Sequence, residues 1–311
     1  IARLIQQGQL IGPRLYTSGG VLSATGGHGD WGGPTDTKRN LDYGAMVEQS
    51  YIVDGRDDVI ESSRRNFRNG AHFTKIMAGG GVASLYDPLE IYAATQEEVE
   101  AAVEIASEYG TYVAIHAYND KSYTRSLDAG VRSFEHGFLV SEDIVKRMAR
   151  MDQEIAWSFQ CYMSVATFGD YDSMPDFFTH EQKLKGVAVG EGARNAAAMM
   201  LEHDVFMIGG SDMFSPAYGP RMKEDITCRV NMVDYPAAHA LKMSTGNAGI
   251  VLKWSDVLDP YPTYHIGRIA PDSYADILLW DGNPLDDIDI ILDESKLHLI
   301  MKDGVIYKND M

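Results

Sequence analysis

The sequence has only two cysteines, no apolar run long enough to cross a bilayer and too little positive charge to balance its acids. Cys161 and Cys228 lie far apart, without a CxxC or finger-like spacing. Neither a disulfide framework nor a thiolate metal site is therefore expected, and both read as packing residues in a reducing, cytoplasmic compartment. No stretch of about 18 apolar residues occurs, and the N-terminus lacks the basic, apolar, small-residue order of a signal peptide. A membrane is not an expected partner. Lys and Arg number 27 against 45 Asp and Glu, a formal charge of −18. Such a surface repels phosphate backbones, so nucleic acid is not an expected partner either. No Walker or G-x-G-x-x-G pattern is present, which leaves Gly79, Gly80 and Gly81 a weak phosphate cradle at best.

What is present suits a folded domain. The 311 residues are 45% hydrophobic, enough for one large domain or one large plus one small. Strand-like runs alternate with helical patterns, the signature of a parallel α/β sheet with helical crossovers. Six strands are expected, at about residues 14–18, 73–77, 112–116, 131–135, 154–159 and 205–210. Between them, residues 95–109 read as a helix with a Thr95/Glu98 capping box, a buried stripe through Val99, Val103 and Ala106, and Gly110 as its stop. Residues 19–51 are rich in Gly, Asp and Thr without a period and read as a long loop. From about residue 264 short strands and Asp-Gly turns take over. This divides the chain into a barrel-like domain, 1–262, and a small β appendage, 263–311. Ile1, Leu4 and Ile5 have helical spacing without a helix start before them, so the chain is expected to be a fragment.

The ionisable residues fall into a pattern on those strands. Lys75 sits in "FTKIM", His116 closes "YVAIH", His136 follows "RSFE" and Asp212 follows "MIGGS". All four are expected near C-terminal strand ends, the face that carries the site in an α/β barrel. Two imidazoles and a carboxylate suit a divalent metal, with zinc, manganese and cobalt all accepting these ligands. A protonated lysine cannot ligate a cation. Desolvated near metal charge, its amine loses the proton and can add carbon dioxide, giving a carbamate that is an anionic, two-oxygen ligand. Taken singly, the remaining histidines read as satisfied core or surface residues.

Together "GPRLYTSGGVLSATGGHGDW", "NGAHFTKIMAGGGVAS", "YVAIHAYND", "GVRSFEHGFLV", "IGGSDM" and the C-terminal run through "GRIAPDSYADILLWDGNPLDDI" to "LIMKDGVIYK" resemble the imidazolonepropionase-like and Xaa-Pro-dipeptidase-like branch of the amidohydrolase superfamily. The resemblance covers essentially the whole chain. It implies a TIM (β/α)8-type barrel, with its strands 3 to 8 in this chain, and a small β-sandwich of which residues 263–311 form the C-terminal part. It also implies two divalent metals, usually zinc, and hydrolysis of amide bonds in dipeptides, N-acyl amino acids or cyclic amides. By position, Lys75 resembles the carboxylated bridging lysine, His116 and His136 the ligands of the second metal, and Asp212 the last ligand and proton carrier. His28, in "GGHGD", and Tyr118 resemble substrate contacts. The nucleophile implied is a metal-activated hydroxide.

One departure from that family concerns the chemistry itself. The family's first metal is held by a His-x-His pair, and no His-x-His occurs in the 311 residues. The first site is therefore expected to be incomplete, and a complementary N-terminal fragment of about 100 residues, by the usual size of such barrels, is an expected partner. A homo-oligomer is also expected. The functional expectation is a metal-dependent hydrolase of dipeptides or N-acyl amino acids. The alternatives are a cyclic amidohydrolase, a catalytically incomplete relative, and a small-ligand-binding barrel.

Overall fold

The computed structural model describes residues 1–36, 47, 49–213, 219 and 221–311. Its centre is a parallel sheet of seven strands: β1 (Val21–Ser23), β2 (Ser50–Ile52), β3 (Thr74–Met77), β4 (Val113–Asn119), β5 (Ser133–Leu139), β6 (Ala156–Phe159) and β7 (Met207–Gly209). The order is β2-β1-β3-β4-β5-β6-β7. From β3 onward each strand lies beside its successor in the chain, as repeated βα units require. Among the described residues, β2 and β7 remain the two edges of the sheet. A second, antiparallel sheet of three strands, β8 (Ile277–Trp280), β9 (Leu297–Lys302) and β10 (Val305–Asn309), lies apart at the C-terminus in the order β10-β9-β8.

The expected strand over residues 14–18 does not form. Its groups are spent elsewhere: Arg14 makes a two-pronged ion pair with Asp276, with its guanidinium 3.8 Å from the centre of the Tyr274 ring. The Tyr16 hydroxyl donates to Asp259, and the Thr17 amide donates to His72 Nδ1. The segment thereby ties the start of the chain to its C-terminal part. The first strands come instead from within the expected loop 19–51, as β1 and β2, each only three residues long. Residues 37–46 and 48 of that loop lie outside the described residues.

The helices follow local signals. Thr95 and Glu98 close both halves of the capping box ahead of Gln96–Glu108, and Gly110 takes the left-handed conformation that stops it. A second box, Thr179 with Gln182, starts the 23-residue helix His180–Glu202. The core lies against both faces of the central sheet, so β4 reads as a nearly continuous buried run. Trp157, Tyr123, Tyr235, Phe134, Phe159, Leu22, Ile76 and Ile115 are its largest fully enclosed apolar or aromatic side chains among the described residues.

The cysteines correct the sequence reading. Cys161 and Cys228 form a disulfide with Cα atoms 5.8 Å apart. Cys161 follows β6, and Cys228 lies on the helix Glu224–Asn231, so the crossover topology brings together two residues that no local spacing rule would pair. Beside the bridge, the Tyr162 amide donates to Asp225, which also pairs with the buried guanidinium of Arg229. No helix among the described residues is long and apolar enough to cross a membrane.

Candidate active site

Strand register brings the predicted residues together. Lys75 is the second residue of β3, one step earlier than expected, and is in register with Ala114, while Met77 is in register with His116. Strands β4 and β5 run three and four residues past their expected ends. His116 and His136 are therefore mid-strand residues rather than terminal ones, and Asp212 follows β7. Within β4, alternation puts His116 and Tyr118 on one face.

Glu135 is in register with His116 and projects with it, whereas His136 is in register with Ala117 and would point to the opposite face. The backbone prevents that. His136 has φ 69° and Gly137 φ 67°, both left-handed, and the pairing shifts between Ala117 and Asn119. The break turns the His136 ring to within 4.5 Å of His116 and 5.3 Å of Tyr118, centre to centre. A non-glycine residue in this conformation costs about 1–2 kcal/mol. Asp212 is left-handed as well, with φ 53°. Strained residues of this kind cluster where surrounding structure holds a side chain for a purpose other than packing.

Electrostatics follow from enclosure. Burial lowers the Lys75 pKa, opposed by the carboxylates of Glu135 and Asp212, and its ammonium donates to the Ile115 carbonyl, at 3.3 Å. Burial holds His116 and His136 well below the ordinary imidazole value, and neighbouring cationic groups add to the effect. His116 Nε2 faces the Gly80 carbonyl at 3.0 Å. The neutral ring must therefore donate there, leaving the Nδ1 lone pair free. Asp212 is open to the cavity on one side, yet dense protein around its carboxyl pushes the pKa up to about 6, with Lys75 opposing the shift.

His28 joins the group from the loop after β1. Its ring stacks on His116 at 4.2 Å, and its Nδ1 lies 2.7 Å from Ser84 Oγ. Burial lowers its pKa to about 4, with Lys185 and Lys75 adding to the fall. The glycines after Lys75 make this close packing possible. A Cβ on Gly81 would lie 2.0 Å from His28 Nδ1, and one on Gly80 1.9 Å from the Pro88 carbonyl oxygen. Neither has room for a side chain.

Three further residues escaped sequence reasoning. Glu135 accepts from Ser133 at 2.8 Å and from Gln160 at 3.2 Å, and it stood beside His136 in the sequence without a signal separating it from any exposed acid. Asp87 accepts from the Gly81 amide at 2.7 Å. Lys185, on His180–Glu202, donates to three carbonyls of one loop, those of Gly81, Ser84 and Asp87. An i+3 pattern after Thr179 could have revealed that helix start, but not which loop its lysine would grip.

His28, Met77, His116, Tyr118 and Asp212 line a cavity of about 840 Å³ bordered by Trp31, Tyr86, Phe168, Phe177 and Phe178, whereas Lys75, Glu135 and His136 are not part of its lining. The donors suit a divalent cation: two imidazoles held neutral, a carboxylate, and an amine whose pKa is lowered. No three His, Cys, Asp or Glu side chains stand close enough, among the described residues, to hold a metal unaided. An ion held here would therefore need a further donor beside these side chains.

The same arrangement has relatives. Ochratoxinase from Aspergillus niger is 25% identical over 317 residues, covering 99% of this chain; the chain spans only 63% of that protein's length. A prolidase solved with N-methylphosphonate-L-proline matches with a TM-score of 0.83 and 27% identity, covering 99% of this chain and 72% of the other. A Xaa-Pro dipeptidase with methionine in its active site matches with a TM-score of 0.82 and 25% identity, covering 99% and 71%. Such neighbours are TIM barrels, so the parallel sheet is of that barrel type. With residues 1–307 matching the amidohydrolase family model, the chain belongs to the amidohydrolase family.

Proposed function

We propose that this chain carries metal-binding and proton-transfer residues of an amide hydrolase acting on dipeptides or N-acyl amino acids. The observation that supports it most is the clustering of Lys75, His116, His136 and Asp212, the two imidazole ring centres 4.5 Å apart and the other three groups all within electrostatic reach of Lys75, with their pKa values driven in opposite directions. A lysine pushed toward neutrality beside a carboxyl pushed toward protonation is an arrangement suited to acid–base work near neutral pH. In this reading Lys75, carboxylated by carbon dioxide, His116, His136 and Asp212 hold one divalent ion, zinc being the candidate. That ion would supply a polarised carbonyl and an acidified water.

The chain's own residues do the rest. Asp212 accepts the proton released as the amide is attacked and delivers it to the departing amine, a task its raised pKa suits. The Tyr118 hydroxyl lies in the cavity with its own ionisation suppressed by burial, so it stays a donor and can bond the developing oxyanion. His28, kept neutral and stacked on His116, contacts the substrate from the opposite wall. Enclosure of the floor excludes water and strengthens each of these interactions.

The test is metal analysis with and without bicarbonate, together with hydrolysis of a dipeptide panel. Bicarbonate should raise the metal content of the parent and leave Lys75→Met unchanged, and Asp212→Asn should lose turnover while still binding substrate. Equal loading of parent and K75M would refute the carbamate. A second reading is a relative that binds one ion without turning over substrate. The absence of His-x-His from the 311 residues favours it, and metal uptake without hydrolysis would select it.

A further inference from the structure

The mouth of the cavity has a chemistry that the catalytic groups do not explain. Trp31, Leu85, Tyr86 and Phe177 border it with 49%, 62%, 51% and 74% of their surface exposed. Below them Phe178 packs on Phe177 at 5.1 Å and on Phe168 at 6.2 Å, ring centre to ring centre. These residues come from three separate segments: the loop after β1, the loop after β3, and the approach to the helix His180–Glu202. Single exposed apolar residues need no explanation, but their concentration around one opening marks a surface that is covered in use.

Among the described residues, the charges lining the same opening have one sign. Asp30 and Asp212 are the charged residues among the described ones that line the cavity. Lys185, close by, is committed to the carbonyls of Gly81, Ser84 and Asp87. Bringing an anionic side chain here costs desolvation and repulsion, whereas an aromatic ring gains contact with three or more other rings.

We propose that this mouth is the specificity subsite of the amide hydrolase described above, and that it takes a large apolar, preferentially aromatic, side chain of the substrate next to the scissile amide, with Trp31 and Phe177 as its contact residues. The proposal rests on the amide-hydrolase reading for which bond is cut, but not for what the mouth binds. A difference of one methylene in an apolar pocket is worth about 10- to 200-fold in discrimination. Replacing phenylalanine by alanine in the substrate therefore costs at least tenfold, and glutamate is poorer still.

The experiment uses dipeptide isosteres in which –CH=CH– replaces the amide, so that binding is read without turnover. Dissociation constants are measured by calorimetry on the full chain for Phe, Leu, Ala and Glu at each of the two positions, beside kcat/KM for the corresponding dipeptides. Phe should bind at least tenfold more tightly than Ala in one position, with Leu between them and Glu weakest. Phe177→Ala and Trp31→Ala should each cut that Phe-to-Ala ratio at least threefold. Both residues are exposed enough for the variants to fold, which unchanged melting curves confirm.

Equal binding of Phe and Ala, tighter binding of Glu, absence of binding by every isostere, or ratios unmoved in both variants would overturn the proposal. Selective binding without hydrolysis of any amide would instead sink the hydrolase reading and leave the subsite standing.

Discussion

Breaking the Cys161–Cys228 bridge should lower stability by an amount that can be worked out from its place in the chain. The two residues are 67 positions apart. Closing a loop of that length in the unfolded chain removes entropy worth about 4.4 kcal/mol at 25 °C by the chain-entropy argument. The unfolding entropy of a chain of 311 residues, at about 2.1 cal/mol/K per residue, is about 0.65 kcal/mol/K, so losing the bridge shifts the melting temperature down by about 7 °C. Both sulfurs are buried, so reduction must be carried out on unfolded protein that is then refolded with reductant. Calorimetry of the refolded sample is compared with oxidised parent and with a Cys161→Ala/Cys228→Ala variant, and intact mass after alkylation in denaturant counts free thiols. Two alkyl groups taken up without reductant would show that there is no bridge. Coincident melting of oxidised and reduced protein, within about 1 °C, would refute the loop-entropy reasoning even with the bridge present.

Two further perturbations test how the site is held. Lys185→Met keeps most of the apolar stem but removes the three hydrogen bonds that pin the loop of Gly81, Ser84 and Asp87. Because this side chain is only half-buried, the cost is about 2 kcal/mol, at the low end for charge-assisted bonds; amide exchange in residues 81–87 should accelerate, and unchanged exchange would deny the lysine its clamping role. His28 carries a pH prediction for the metal-free chain. Its native pKa of about 4 lies below that of the free imidazole, so the unfolded chain takes up a proton the native form refuses. Stability is complete above about pH 6.5 and is lost as pH falls toward 4, by up to about 3 kcal/mol. His28→Gln should flatten that acid limb in urea titrations at about pH 7.5 and pH 4.5, and parallel curves for parent and variant would reject the assignment.

The architecture was legible where period and length were strong. Strands β3 to β7 each fall within or overlap a run read from the sequence, and the capping box at Thr95 is where a Thr and a Glu three residues on should place it. The failures have physical causes. β1 and β2 are three residues long within a segment rich in Gly, Asp and Thr, without the apolar run that marked the equally short β7, and are held by neighbours rather than by their own pattern. Residues 14–18 have strand-like composition, but an ion pair and a stacked ring take their side chains away from any sheet. The cysteine pair was invisible because its proximity belongs to the crossover topology and not to any spacing.

The deepest gap between sequence and site lies at Glu135 and His136. Two adjacent residues in a regular strand face opposite sides, so a sequence reading that puts His136 in the cavity must leave Glu135 out of it. Both nevertheless interact with Lys75: Glu135 opposes the fall in its pKa, and Lys75 depresses His136. Glu135 reaches that side by regular register with His116 and His136 only by the left-handed turn at His136 and Gly137, so a carboxylate that no motif assigns there stands near the lysine. That carboxylate favours the protonated ammonium, against the neutral amine that carbon dioxide needs, so the balance at Lys75 is set by burial on one side and by Glu135 and Asp212 on the other. In the proposed reading, a divalent cation held by a carboxylated Lys75 together with His116, His136 and Asp212 would offset both carboxylates. On that proposal, carboxylation of Lys75 and metal loading would be coupled, each raising the other's occupancy.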